Sequence, residues 1–221
     1  MRQRVEVHEV RLDGGGVRVV RSAPAPGRLA LHDDGHWLSM DADRAGVGRL
    51  TALWALAARS PRSLVHLPIR AEAASGGVAG EGPPALDLVL AHHSLQFPAA
   101  AWKGVRSRLG TGRPQTVRVP DGDFPDEDDV DHDRWYHGSF RDHLRFDIAA
   151  RTLFVVGSAT AFREHGAVLR RLVDEAPSRG QGDRPSRHHC VELTSGPRTR
   201  PRARGRVPTT LHVEYRGDRG D

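Results

Sequence analysis

The chain has 221 residues, 38% of them apolar and only 5% aromatic, with 33 Lys and Arg against 28 Asp and Glu for a formal net charge of +5. That length can bury a core built mainly from Leu, Val and Ala, while the lean aromatic content leaves part of the chain to loops or a disordered tail. No run approaches the roughly 18 apolar residues that span a bilayer, which excludes a membrane-spanning helix.

The N-terminal MRQRVEVHEV has no apolar signal core and Cys190 is the single cysteine, so we expect a soluble chain in a reducing cytoplasm, without a disulfide framework and without membrane association. Lys103 is the only lysine. Arginine at every other basic position, beside abundant Ala, Gly and Pro, reads as GC-rich bacterial coding rather than as one selected basic surface. The charge total is therefore no argument for nucleic acid until its distribution is known.

From Val5 to Val20 apolar and polar residues alternate on both sides of Asp13-Gly14-Gly15-Gly16, the signature of a hairpin. After the Pro-rich link Ala23 to Gly27, Arg28 to His32 and His36 to Met40 form a second hairpin around Asp33-Asp34-Gly35. Asp41 or Asp43 then caps a helix whose inward face is Val47, Leu50, Leu53, Trp54 and Ala57. Ser63 to Ile69 reads as a buried strand, Ala71 to Pro84 as a surface loop or seam, and Leu86 to His92 as another strand. Ser94 to Leu109 is expected to be a helix with Pro98 in its first turn, followed by a short strand over Thr116 to Val119.

The acidic stretch Asp121 to Asp133 holds seven aspartates and one glutamate and reads as a solvated loop, with the Arg-rich segment as an expected partner. Ser139 to Ile148 and Thr152 to Val156 form a third hairpin, which leads through Gly157-Ser158 into a helix with Val168, Leu169, Leu172 and Val173 at helical spacing. A polar link, a strand from His189 to Thr194 and a last strand from Thr209 to Tyr215 complete the chain. With an offset of 116 residues, Trp37 lies over Leu153 and Pro61 over Pro177, so each of two blocks reads ββαβ.

The expected fold is α/β with a mixed sheet: two pseudo-repeated ββαβ blocks plus a central βα unit, with helices mainly on one side. Residues 1–195 are expected to form one domain with pseudo-halves of about 1–84 and 85–195. A flexible Arg/Pro-rich segment at 196–207 and a terminal strand with a charged tail at 208–221 follow.

Four constellations bear on chemistry. Carboxylates such as Asp121, Asp123, Asp126 and Asp128 supply the oxygen ligands that hard cations want, but Pro125 interrupts the run and the calcium-loop pattern is absent. His188, His189 and Cys190 are metal-ligand types without a standard zinc spacing. His92, His93 and Ser94 sit at a strand end, where sites of open α/β sheets gather. His92-x-Ser94 is similar to half of the duplicated His-x-Ser/Thr signature of the two-histidine phosphoesterases. The second half has no counterpart, because His66-Leu67-Pro68 and His212-Val213-Glu214 lack the hydroxyl, and that family's catalytic residues are not carried over. Finally, Gly157, Ser158 and Thr160 open a helix and offer amides and hydroxyls to an anion, although N-capping accounts for them equally well.

Without a complete catalytic or cofactor motif, the chain is expected to be a non-enzymatic binding or accessory protein acting through contacts with a protein partner, with no cofactor. One alternative is a metal-dependent phosphoesterase or nuclease using His92, His93 and nearby carboxylates. Another is nucleic-acid binding through Arg198, Arg200, Arg202, Arg204 and Arg206.

Overall fold

The computed structural model describes residues 1–12, 15–74, 83–120, 122–137, 139–175, 189–196 and 207–217. It is a mixed α/β fold around an eleven-stranded sheet. The alternating N-terminus forms β1 (Arg2–Leu12) and β2 (Gly15–Ser22), an antiparallel hairpin in register Val7 to Val20. The second hairpin is β3 (Leu29–Asp33) with β4 (Leu38–Ala42). Asp43 then caps helix α1 (Arg44–Arg59) by accepting the Gly46 N–H at 2.7 Å, and the apolar face expected from the sequence is fully inside.

Strand β5 (Ser63–Leu67) lies parallel to β2 and antiparallel to β6 (Ala85–His92). Strand β6 is in turn parallel to β9 (Thr152–Gly157), whose hairpin partner is β8 (Arg145–Ala149). Helix α4 (Ala159–Glu175) leads from β9 to β10 (Cys190–Thr194), which pairs with β11 (Thr210–Tyr215). Strand β11 runs parallel to β4, and β3 joins this second group to the first through Leu31 opposite Leu86. The runs β8-β9-β6-β5 and β3-β4-β11-β10 share one order of senses, antiparallel, parallel, antiparallel. That recurrence is one of pairing sense alone and does not establish the pseudo-repeated ββαβ blocks expected from the sequence.

Period-2 alternation assigns the two faces of the sheet. Val65, Leu67, Leu88, Leu90, Leu153 and Val155 join the main core, against which α1 and α4 pack as a pair. Leu64, Val89 and Phe154 point the other way, into a smaller cluster closed by Trp102 and Val105 of α3 (Trp102–Ser107). The two long helices thus share one face, and the opposite face is only partly covered.

Three segments differ from the sequence reading. The expected helix over Ser94 to Leu109 is broken into 3-10 turns at His93–Leu95 and Ala99–Ala101 before α3 begins. Gln96 takes a left-handed φ of 46° and Pro98 has no N–H to donate, so a continuous ladder cannot form. Within the expected loop Ala71 to Pro84, the described part opens with a short helix α2 (Arg70–Ala74). The acidic stretch is not wholly solvated, because Phe124 and Val130 are buried in the main core. The Phe124 ring lies over Gly166 of α4 so closely that a Cβ there would collide with it. Its carboxylates pair with helix arginines, Asp123 with Arg59 at 2.7 Å and Glu127 with Arg171 at 2.7 Å. The Arg-rich 198–206 segment, expected as its partner, lies outside the described residues. Strand β7 (Arg113–Arg118) closes the far edge against β1.

Candidate functional site

His92, His93 and Ser94 occupy the end of β6, where a turn accounts for most of their polar contacts. The His92 Nδ1 lies 2.8 Å from the Ser94 hydroxyl and accepts the Ser94 N–H at 3.2 Å, while that hydroxyl also donates to the Pro61 carbonyl at 3.1 Å. Partial burial, and then the neighbouring His93, lower the His92 pKa from its usual 6.5. His93 and Gly157 meet at a small cavity of about 290 Å³ that also takes in Arg141, Asp142 and His143. Ser158 caps α4, accepting the Ala161 N–H at 3.0 Å, and Thr160 is exposed on the first turn.

The other sequence candidates are dispersed. Asp123 is held at Arg59, whereas Asp121, His188 and Arg198 to Arg206 lie outside the described residues. His189 rests edge-on against Tyr215, and burial together with Glu192 and Glu214 raises the Cys190 thiol pKa. Among the described residues, no group of three or more His, Cys, Asp or Glu is placed to hold a metal ion.

A larger concavity, about 790 Å³, lies elsewhere, on the less covered face of the sheet. It forms where β2 and β5 end and β6 and β9 begin. Strand register builds it: Arg21 sits opposite His66, and Asp87 opposite Thr152. Arg70 comes from the start of α2, Arg106 from α3, and Arg151 from the turn between β8 and β9. Ala150 and Arg151 in that turn have φ of 49° and 57°. A two-residue hairpin turn demands this left-handed pair and normally uses Asn and Gly, so both side chains are held at a strained backbone.

Hydrogen bonds fix the turn from below. Arg106 donates to the Ala150 carbonyl at 2.9 Å, and the Asp87 N–H donates to the Arg151 carbonyl at 3.0 Å. Trp102 Nε1 donates to the Thr152 hydroxyl at 3.0 Å, which seats α3 on the sheet beside the cavity.

The electrostatics are one-sided, with four guanidiniums and one carboxylate lining the cavity. Asp87, 4% exposed, accepts the Arg70 N–H at 3.0 Å, with the guanidiniums of Arg106 and Arg70 at 3.5 Å and 3.8 Å. Arg21 and Arg151 have no ion-pair partner among the described residues. His66 is 2% exposed, lies edge-on to Trp102 at 4.8 Å, and neither ring nitrogen has a hydrogen-bond partner among the described residues. Burial, then Arg21 and Arg106, lower its pKa to about 3, so the imidazole is neutral at ordinary pH.

No family model, curated protein or solved structure matches this chain. The chemistry of the cavity therefore rests on its residues alone. They offer cationic, bidentate donors and a neutral imidazole, and the described lining carries no hydroxyl or thiol nucleophile. None of these positions was singled out as a site from the sequence, and no motif links them, since each arginine belongs to a different element.

Asp87→Asn tests how the cavity is held. The amide keeps an acceptor for the Arg70 N–H but removes the charge facing Arg70 and Arg106. Because those arginines are 36% and 29% exposed and can be hydrated, the expected loss is about 1–2 kcal/mol, below the figure for a fully buried pair. Urea unfolding measures it, and an unchanged midpoint would show that Asp87 does not hold this end of the sheet.

Proposed function

We propose that the chain is a non-enzymatic binding protein whose ligand presents an anionic group to the arginine cavity. One observation carries this reading: four guanidiniums from four elements converge on a concavity that contains a single carboxylate. Like charges gathered at one place repel each other, and an anion relieves that repulsion with bidentate hydrogen bonds. The volume of about 790 Å³ falls in the range of small-molecule sites. The strained turn that carries Arg151 supports the same reading, since strain of this kind collects at binding sites.

Arg151→Gly separates stability from binding. Glycine adopts φ near 57° without steric penalty, so the variant is expected to gain about 1 kcal/mol, or roughly 2–4 °C in Tm. Pyrophosphate in low-salt buffer is expected to raise the Tm of the parent chain, because a ligand that binds only the folded state stabilises it. In Arg151→Gly the same additive is expected to give a much smaller rise. An equal rise in both proteins would reduce the effect to a nonspecific salt response and remove support for the cavity as the binding site.

A further inference from the structure

We propose that the anion taken by this cavity is the dianionic phosphate of a small organic phosphomonoester, a step that rests on the anion-binding reading above. The charge arrangement selects the class. Two of the four guanidiniums, those of Arg70 and Arg106, already face the Asp87 carboxylate. The two that remain, Arg21 and Arg151, make no salt bridge among the described residues and border the same cavity, with Arg21 standing across from Glu6 in the β1–β2 ladder. Four guanidiniums and one carboxylate leave the lining with a formal excess of three positive charges, and a phosphomonoester, which carries close to −2 at neutral pH, offsets more of it than a carboxylate or a phosphodiester can. Three phosphate oxygens can also meet two guanidinium forks at once, whereas a carboxylate has two oxygens and fills one fork.

The remainder of the lining describes the body of that ligand. Pro68 and Leu109 give apolar surface beside the arginines, and the cavity of about 790 Å³ far exceeds the needs of inorganic phosphate. His66 contributes a neutral imidazole with one N–H donor and one acceptor, both unmatched and almost wholly buried. Because both nitrogens are closed to solvent, the ring is a neutral part of the wall that adds no charge to the lining, not a hydrogen-bonding contact for the ligand.

Calorimetric titration of the full chain at pH 7.5 and low salt tests the assignment with three probes that share one ring: phenyl phosphate, methyl phenyl phosphate and benzoate. Phenyl phosphate is expected to bind at least tenfold more tightly than either monoanion. That preference should disappear in Arg21→Met/Arg151→Met, whose folding is checked by circular dichroism. If benzoate or the diester binds as tightly as the monoester, the dianion assignment fails while the anion-binding reading stands. A preference that survives in the double variant overturns the assignment to these two arginines. If none of the three probes binds, both readings fall.

Discussion

Lowering the pH from 7 to 5 is expected to remove about 4 kcal/mol of folding stability through two buried histidines alone. His66 and His165 have pKa values lowered to about 3 and about 4, in both cases chiefly by burial. In the unfolded chain each returns to about 6.5, so below that pH the unfolded state binds more protons than the native one. The sign follows from this difference. The stabilisation is complete above pH 6.5 and is lost progressively as the pH falls toward 4 and then 3. Each histidine contributes up to about 1.4 kcal/mol per pH unit, or about 1.9 kcal/mol between pH 7 and 5.

The two rings are held neutral by different surroundings. His165 stacks flat on Trp135 at 4.2 Å and donates from Nδ1 to the Ala161 carbonyl at 2.9 Å, while His66 lies among arginines. Urea unfolding at half-unit steps of pH measures the slope, and His165→Phe should remove close to half of it. A flat stability profile between pH 6.5 and 5 would be incompatible with two neutral buried imidazoles.

What the sequence made legible was whatever depended on local periodicity. The alternation of Val5 and Val7 with polar neighbours marked β1, and the spacing of Val47, Leu50, Leu53 and Trp54 behind the Asp43 cap marked α1. The break at Gln96 was not legible, because a left-handed glutamine carries no compositional mark of the kind glycine would. The anchoring of the acidic stretch to the core was not legible for a related reason: Phe124 and Val130 are lone apolar residues with no repeat around them. The arginine cavity was further out of reach. His66 was visible as part of a buried strand, but its meaning depends on Arg21 opposite and on Arg106 and Arg151 arriving from distant elements. Periodicity places residues on a face. Only register and tertiary contact decide which of them share an end of the sheet.

The largest single-residue effect is expected at Trp54, where α1 meets α4. The indole is fully buried and sets its edge against the Phe162 ring at 5.4 Å and 80°, in the geometry aromatic pairs prefer. Trp54→Ala removes that pair and leaves a cavity in the main core, and is expected to destabilise by about 3–5 kcal/mol. Trp54→Phe isolates the cause. The indole Nε1 is buried without a hydrogen-bond partner among the described residues, a condition that costs about 1–3 kcal/mol where it occurs. Phenylalanine removes the unmatched donor while keeping a ring against Phe162, so the relief offsets the lost volume and the net change is expected to stay within about 1.5 kcal/mol. Guanidinium unfolding of both variants decides the matter, and equal losses would mean that the aromatic contact does not hold the helix pair. Because Trp54 packs on the opposite face of the sheet from Arg21, His66 and Asp87, Trp54→Phe should also leave the pyrophosphate response intact. A lost response in a stably folded Trp54→Phe protein would show that the two faces of the sheet are coupled.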